Sequence, residues 1–262
     1  MSTALTLERV TLTYRGQTAL DGLDLRVGAG EVLALLGPSA SGKTSVLRVL
    51  LGFAVPREGT VRLGERLVSR DGRLLVVPED RGLGVVFQDL ALWPHLTVEG
   101  NLGFGLAARG LPAGDRAERI VAMLGRVGLA GTERRYPGEL SGGQRQRVAI
   151  ARALVTEPRA VLLDEPLANV DVDLRRELLE LLRELFRENG TTVIHVTHDL
   201  REAIAVAHRF AVVEAGRIVQ QGSLVHLREA PATPFVRALI EDLEESRSSA
   251  CFAEAEPGRR SS

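Results

Sequence analysis

A single cysteine, Cys251, stands among 262 residues. No disulfide can form within the chain, which suits a reducing, cytosolic compartment. Long apolar runs are missing too. No stretch approaches the ~18 uninterrupted apolar residues of a membrane-crossing helix, and the N-terminus lacks the basic-then-apolar pattern of a secretory signal. The chain is expected to be cytosolic and not to cross a membrane itself. Nor is there an excess of charge. With 33 basic and 34 acidic residues the net charge is −1, so bulk electrostatics offer nothing to nucleic acid, and no nucleic-acid partner is expected. Internal repeats are absent. The scarcest cation is lysine: Lys43 is the only one, and arginine fills every other Lys/Arg position.

That lysine lies in Gly37-Pro38-Ser39-Ala40-Ser41-Gly42-Lys43-Thr44, which reads G-x-x-x-x-G-K-[ST]. An apolar run, residues 32–36, precedes it, and a helix-competent segment, 44–51, begins with Thr44 and Ser45. Strand, glycine-rich loop and helix are the context a phosphate-binding loop needs. Its successive backbone N–H groups wrap a polyphosphate, and the helix N-terminus adds partial positive charge. Lys43 would reach the β- and γ-phosphates, and the Thr44 hydroxyl would ligate Mg²⁺. A sequence that writes arginine elsewhere keeps lysine where a compact, flexible ammonium is required.

Around this loop the pattern predicts an α/β fold. Residues 4–14 and 19–27 alternate apolar and polar as half-buried strands do, with Gly16 between them. Residues 60–63 and 66–68 read as a hairpin, and 83–87 as a strand ending at Gln88. Helical patterns then dominate, over 98–109, 115–127 and 144–156. Strands return at 160–163, 191–196, 209–213 and 217–220, interleaved with helices over 173–188 and from Leu200, and a last helix spans 234–245. Alternating strands and helices indicate a mainly parallel sheet, with antiparallel strands on one side. The expected organisation is a nucleotide-binding core with an antiparallel β subdomain (1–88), an inserted helical subdomain (89–158), the rest of the core (159–245), and a disordered Ser/Glu/Arg-rich tail (246–262).

Other residues extend the chemistry. Asp164-Glu165 closes an apolar strand, which suits Asp164 for Mg²⁺ and Glu165 for polarising an attacking water. His198 and Gln88 also end strands; the histidine could meet a γ-phosphate, and the glutamine could orient water or metal. His95, His195, His208 and His226 are expected to be structural or exposed. Tyr14 closes the first strand and could stack on a purine base. A second anion site is expected at Leu140-Ser141-Gly142-Gly143-Gln144-Arg145-Gln146-Arg147. There Ser141 can cap a helix, and the glycine pair permits close backbone approach. Two anion sites make sense for one triphosphate if the second serves a partner subunit.

In their order and spacing, the phosphate loop, Gln88, Leu140–Gln144, Asp164-Glu165 and His198 resemble the ATPase subunits of ATP-binding cassette (ABC) transporters, over about residues 4–240. The resemblance implies ATP and Mg²⁺ as cofactors. It also implies a head-to-tail dimer of two copies, each ATP held between the Lys43 loop of one and Ser141-Gly142-Gly143 of the other. Within it Tyr14 stacks on adenine, Glu165 is the general base, His198 is the γ-phosphate switch, and Asp171 belongs to a loop crossing the interface. Two positions depart from the family: Ala40 stands where glycine is usual, at a cost of about 1 kcal/mol if φ is positive there, and Ala168 where serine is frequent.

The stretch from Phe87 to Val98, Phe-Gln-Asp-Leu-Ala-Leu-Trp-Pro-His-Leu-Thr-Val, is similar to importer subunits for iron(III), polyamines, sulfate or molybdate. Their matching segment meets a coupling helix of an integral-membrane permease, so Leu90, Leu92 and Trp93 would be apolar anchors. An extracytoplasmic solute-binding protein would complete the system, and the chain would sit peripherally on the cytoplasmic side of the membrane. The regulatory domain that commonly follows in that branch is expected to be absent. An exporter subunit is the main alternative, and a non-transport ABC ATPase a weaker one. A phosphate-loop GTPase is excluded, since its Asn-Lys-x-Asp motif needs a second lysine.

Overall fold

The computed structural model describes residues 3–168 and 170–254. Two long strands open the chain, β1 (Thr3–Tyr14) and β2 (Gln17–Gly28), paired antiparallel. Along β2, Leu23, Leu25 and Val27 alternate buried with exposed neighbours, as period-two patterning requires. The next strand, β3 (Val32–Leu36), is buried at all five positions. It feeds the phosphate loop and α1 (Lys43–Leu51).

The chain then returns to the first sheet through β4 (Glu58–Leu63), β5 (Arg66–Arg70) and the short β6 (Arg73–Leu74), giving the antiparallel order β2-β1-β4-β5-β6. After β7 (Leu83–Val86) come three helices, α2 (Val98–Ala108), α3 (Ala113–Arg126) and α4 (Gly142–Leu154). The remaining elements are β8 (Ala160–Asp164), α5 (Val172–Asn189), β9 (Thr192–Val196), α6 (Leu200–Val206), β10 (Arg209–Glu214), β11 (Arg217–Gly222), α7 (Leu224–Glu229) and α8 (Pro234–Glu254). The second sheet runs β11-β10-β3-β9-β8-β7, parallel throughout except for β11. The expected α/β architecture, with its antiparallel β portion and inserted helices, is therefore present.

Burial explains the layering. Leu33, Leu35, Ile194 and Val196 on one face of the second sheet pack with Val46, Leu47 and Leu50 of α1 and with Leu7, Leu23 and Val61 of the first sheet. So α1 lies between the two sheets. The opposite face divides in two. Val161, Leu163 and Val193 pack with α2 to α5, while Ala34, Leu36 and Val212 pack with α6, α7 and α8.

Three features escaped the sequence pattern. The strand β6 and helix α7 are too short for periodicity to register, and a 3₁₀ turn at Pro78–Arg81 presents Arg81 to the interior. Arg81 is fully buried and donates to the carbonyls of Val49 and Leu50 at the end of α1, to those of Val68 and Val76, and to Ser69 Oγ. It closes off carbonyls that the helix end leaves open, and burial pulls its guanidinium down to about 10. The last helix, expected to end near residue 245, continues as α8 to Glu254. The remainder of the expected tail, 255–262, lies outside the described residues, as does Asn169.

His195, expected to be structural, sits in the middle strand β9 with no exposed surface, and neither ring nitrogen has a hydrogen-bond partner among the described residues. Burial holds its imidazole down to about 4, against an ordinary 6.5. The folded state then binds no proton where the unfolded state does. The stability contributed by the neutral ring is complete above 6.5, and falls by ~1.4 kcal/mol per pH unit down to about 4. Urea titrations at pH 7.5 and pH 4.5 should show a smaller acid-induced loss in His195→Leu than in the parent; equal losses would contradict the burial effect.

Candidate functional site

The phosphate loop takes its shape from backbone packing. A β-carbon on Gly37 would lie 2.2 Å from the carbonyl oxygen of Val213 in β10, and one on Gly42 would lie 2.6 Å from that of Ala19 in β2. Only glycine fits either position. Ala40 has φ of 60°, the left-handed conformation that strains a residue carrying a β-carbon. Gly42 is the N-cap of α1 and offers no side chain to its open amides.

Inside the loop, the Lys43 ammonium donates to the carbonyls of Gly37 (2.8 Å) and Pro38 (2.9 Å). Burial lowers its pKa, and the carboxylates of Glu165 and Asp164 work against that. The buried Ser41 hydroxyl has no partner among the described residues. Open amides, a buried ammonium and an orphaned hydroxyl converge on one cradle, so its donors fit a polyphosphate. Ser45 follows Thr44 in the first turn of α1.

Asp164, at the end of β8, faces the loop: Thr44 Oγ1 donates to its Oδ1 at 3.2 Å. Burial raises the Asp164 carboxyl, chiefly opposed by the Thr44 hydrogen bond. This hydroxyl–carboxylate pair supplies the hard oxygen donors that suit Mg²⁺. The neighbouring Glu165 has φ of 45°, and its N–H donates to the Val196 carbonyl at the end of β9. Its Oε2 lies 3.2 Å from Nδ1 of the exposed His198. Tyr14, 40% exposed, ends β1 beside the β2 segment that abuts Gly42. The structure thus groups Lys43, Thr44, Asp164, Glu165 and His198 in one cluster.

Ser141, Gly142, Gly143, Gln144 and Asp171 form another, lining a cleft of about 630 Å³ together with Gln88. Ser141 Oγ accepts from the Gln144 N–H, and Gln144 Oε1 accepts from the Ser141 N–H, a reciprocal cap on α4. Asp171 caps α5 by accepting from the Leu174 N–H. The two glycines differ in purpose. A β-carbon on Gly143 would come within 2.9 Å of two carbons of Leu174, whereas nothing lies within 4 Å of one on Gly142. Gly142 leaves the helix start open to an approaching group. No residue of the phosphate loop lines this cleft.

Sequence reasoning missed two connectors. Gln146, buried on α4, donates to the carbonyl of Pro166, which follows Glu165. Arg152, farther along α4, donates to the carbonyls of Leu90 and Ala91, whose φ angles are both positive, and lies 5.2 Å from the Trp93 ring. Partners 20 positions away for Gln146 and 59 to 62 for Arg152 leave no local signal. Among the described residues, no helix is long and apolar enough to cross a membrane.

Comparison with known proteins agrees with this geometry. Residues 20–168 match the model of the family described as ABC transporter. The chain belongs to that family. It is 44% identical over 241 residues to the spermidine/putrescine import ATP-binding protein of Thermobifida fusca, 90% of this chain and 62% of that one. To the sulfate/thiosulfate import ATP-binding protein of Chromobacterium violaceum it is 43% identical, covering 92% and 64%. To the Fe(3+) ions import ATP-binding protein of Streptomyces avermitilis it is 45% identical, covering 90% and 67%. The chain thus spans roughly two thirds of these relatives' lengths. Among solved structures, it resembles the dimeric ATP-binding cassette MJ0796 in a post-hydrolysis state bound to ADP and Pi. The TM-score is 0.75 and the identity 31%, with 84% of this chain and 98% of that one covered.

The left-handed Ala40 yields a direct test. Ala40→Gly should stabilise the chain by about 1 kcal/mol, read from the shift in its urea midpoint at unchanged slope. An unchanged or lower midpoint would mean that the loop holds no strain at this residue.

Proposed function

We propose that the chain is the ATP-binding and ATP-hydrolysing subunit of an importer, peripheral to the cytoplasmic side of the membrane. Two copies would pair head to tail and power a separate permease as they close and reopen. The carrying observation is the division of anion-binding groups into two incomplete sets. Lys43, Thr44, Asp164, Glu165 and His198 cluster at the phosphate loop, whereas the open start of α4 at Gly142 lines a different cleft. One triphosphate is completed by bringing the second set from a partner copy.

Residues 37–45 would hold the phosphates, with Lys43 exchanging the carbonyls of Gly37 and Pro38 for β- and γ-oxygens. Thr44 and Asp164 would hold Mg²⁺; Gln88, expected as a further ligand or water orienter, lines the Ser141 cleft instead and would have to move toward Thr44 to serve. Mg²⁺, when bound, would neutralise charge on the β- and γ-phosphates. Glu165 would take a proton from the attacking water, and His198, 3.2 Å away, would orient that carboxylate and meet the γ-phosphate. Tyr14 would stack on adenine. Ser141, Gly142, Gly143 and Gln144 of the partner copy would close over the phosphates, and Asp171 would lie at the interface.

Import is supported by the relatives, each of which is an import ATP-binding protein. Three chemically unlike solutes at 43–45% identity leave the solute to the permease and its extracytoplasmic binding protein. The permease would meet the surface around Leu90, Leu92 and Trp93, where Arg152 grips the backbone.

Glu165→Gln should still bind ATP and form a stable dimer, while phosphate release falls by about 10²–10⁴-fold. Hydrolysis at the parent rate would refute the base assignment. Lys43→Ala should lose ATP binding in equilibrium titration; undiminished affinity would overturn the loop reading. Glu165→Gln trapped with ATP should co-purify from native membranes with a permease and a solute-binding protein, and soluble partners alone would overturn the transport reading.

A further inference from the structure

Arg175, one turn into α5, lies between two loops of the site. Its guanidinium donates to the Val170 carbonyl at 3.0 Å, beside Asp171. On its other side it meets Glu202 Oε1 at 3.4 Å and Asp199 Oδ2 at 3.7 Å. Those carboxylates frame His198. Asp199 follows it directly, and its N–H donates to Thr197 Oγ1. The Thr197 hydroxyl in turn donates to Glu202 Oε2 at 2.9 Å. Glu202 is 5% exposed, and the Arg175 Nε beside it is buried without a hydrogen-bond partner among the described residues, so the two are held as an ion pair. Asp199, after His198, is therefore ion-paired with the guanidinium directly, Thr197, before it, is linked to the guanidinium through Glu202, and the guanidinium is hydrogen-bonded to the loop before α5.

We propose that Arg175 is a positioning residue that couples the Val170-Asp171 loop to His198. Moving the loop moves the guanidinium, and the paired carboxylates carry the His198 backbone with it. A planar fork reaching a carbonyl and two carboxylates is a task that arginine performs and lysine performs only in part. This rests on the proposed function, in which Asp171 lies at the dimer interface and His198 meets the γ-phosphate. Approach of a second copy would then be felt at His198 before hydrolysis.

The test has a readout independent of ATP. In the nucleotide-free full chain with isotope-labelled histidine, the His198 imidazole signal, assigned with His198→Asn, should move in Arg175→Gln and in Glu202→Gln. The signals of the distant His95 and His226 should stay. With ATP, kcat should fall about ten- to a hundred-fold at nearly constant KM, and Arg175→Lys should recover part of that loss. Glu202→Gln preserves shape and keeps an acceptor for Thr197, so it serves if Arg175→Gln folds poorly. An unmoved His198 signal in the folded variants overturns the coupling, as does activity lost only in proportion to folded protein. If the parent hydrolyses no ATP, the catalytic reading fails, while a shifted His198 signal still supports the coupling.

Discussion

The whole site depends on backbone meeting backbone at three glycines. Gly37 lies against Val213 of β10, and Gly42 and Gly216 lie against Ala19 of β2. Two hydrogen bonds lock the contact: the Gly216 N–H donates to the Ser41 carbonyl, and the Asp21 N–H donates to that of Gly216. The phosphate loop is thus the seam between the antiparallel sheet and the parallel one. Side chains there would hold the sheets apart, and α1 could not lie between them with its N-terminus free. The requirement for an exposed helix start and the requirement for close sheet packing are met by the same residues.

At that seam the charges are arranged to be exchanged. Lys43 turns inward to two carbonyls, and Thr44 is tied to Asp164. Neither contact is costly to replace, because a phosphate oxygen or a metal ion offers a charged partner in place of a neutral or hydrogen-bonded one. Buried groups without such partners would carry an unrelieved desolvation penalty. The opposing shifts, Lys43 downward and Asp164 upward, both begin with burial. Each is drawn at least partly out of water, and in the proposed function its charge would be met by a ligand of opposite sign.

The local parts of this arrangement are legible in the sequence. The phosphate loop, the strand before it and the Asp164-Glu165 strand end are runs of consecutive residues, and period-two or period-3.6 patterns mark most of their surroundings. The positive φ foreseen as a question at Ala40 is found there. What escaped depends on tertiary contact. Arg81 reads as one more arginine near a proline, yet it is fully buried and holds the carbonyls of α1 and β5. Gln146, Arg152 and Arg175 sit on amphipathic helices, where sequence cannot separate a solvated polar side chain from one that grips a distant carbonyl. The sequence pattern ends α8 too early, near residue 245, because the polar composition beyond it carries no apolar periodicity to mark a helix.

These long side chains share a pattern that bears on how motion passes through the molecule. Gln146 and Arg152 lie on α4, whose start carries Ser141 and Gly142; they hold the Pro166 carbonyl after Glu165 and the Leu90-Ala91 carbonyls after Gln88. Arg175, on α5, holds the Val170 carbonyl before Asp171. In every case a side chain from a helix binds the backbone of a loop, and Arg175 pairs with two carboxylates as well. A backbone carbonyl cannot rotate away as a side chain can, so displacement of the helix must displace the loop or break a hydrogen bond; for the buried Gln146–Pro166 bond an unsatisfied group would cost about 1–3 kcal/mol. A single helix, α4, carries the open helix start at Gly142 and, near its other end, the arginine that holds the segment around Trp93.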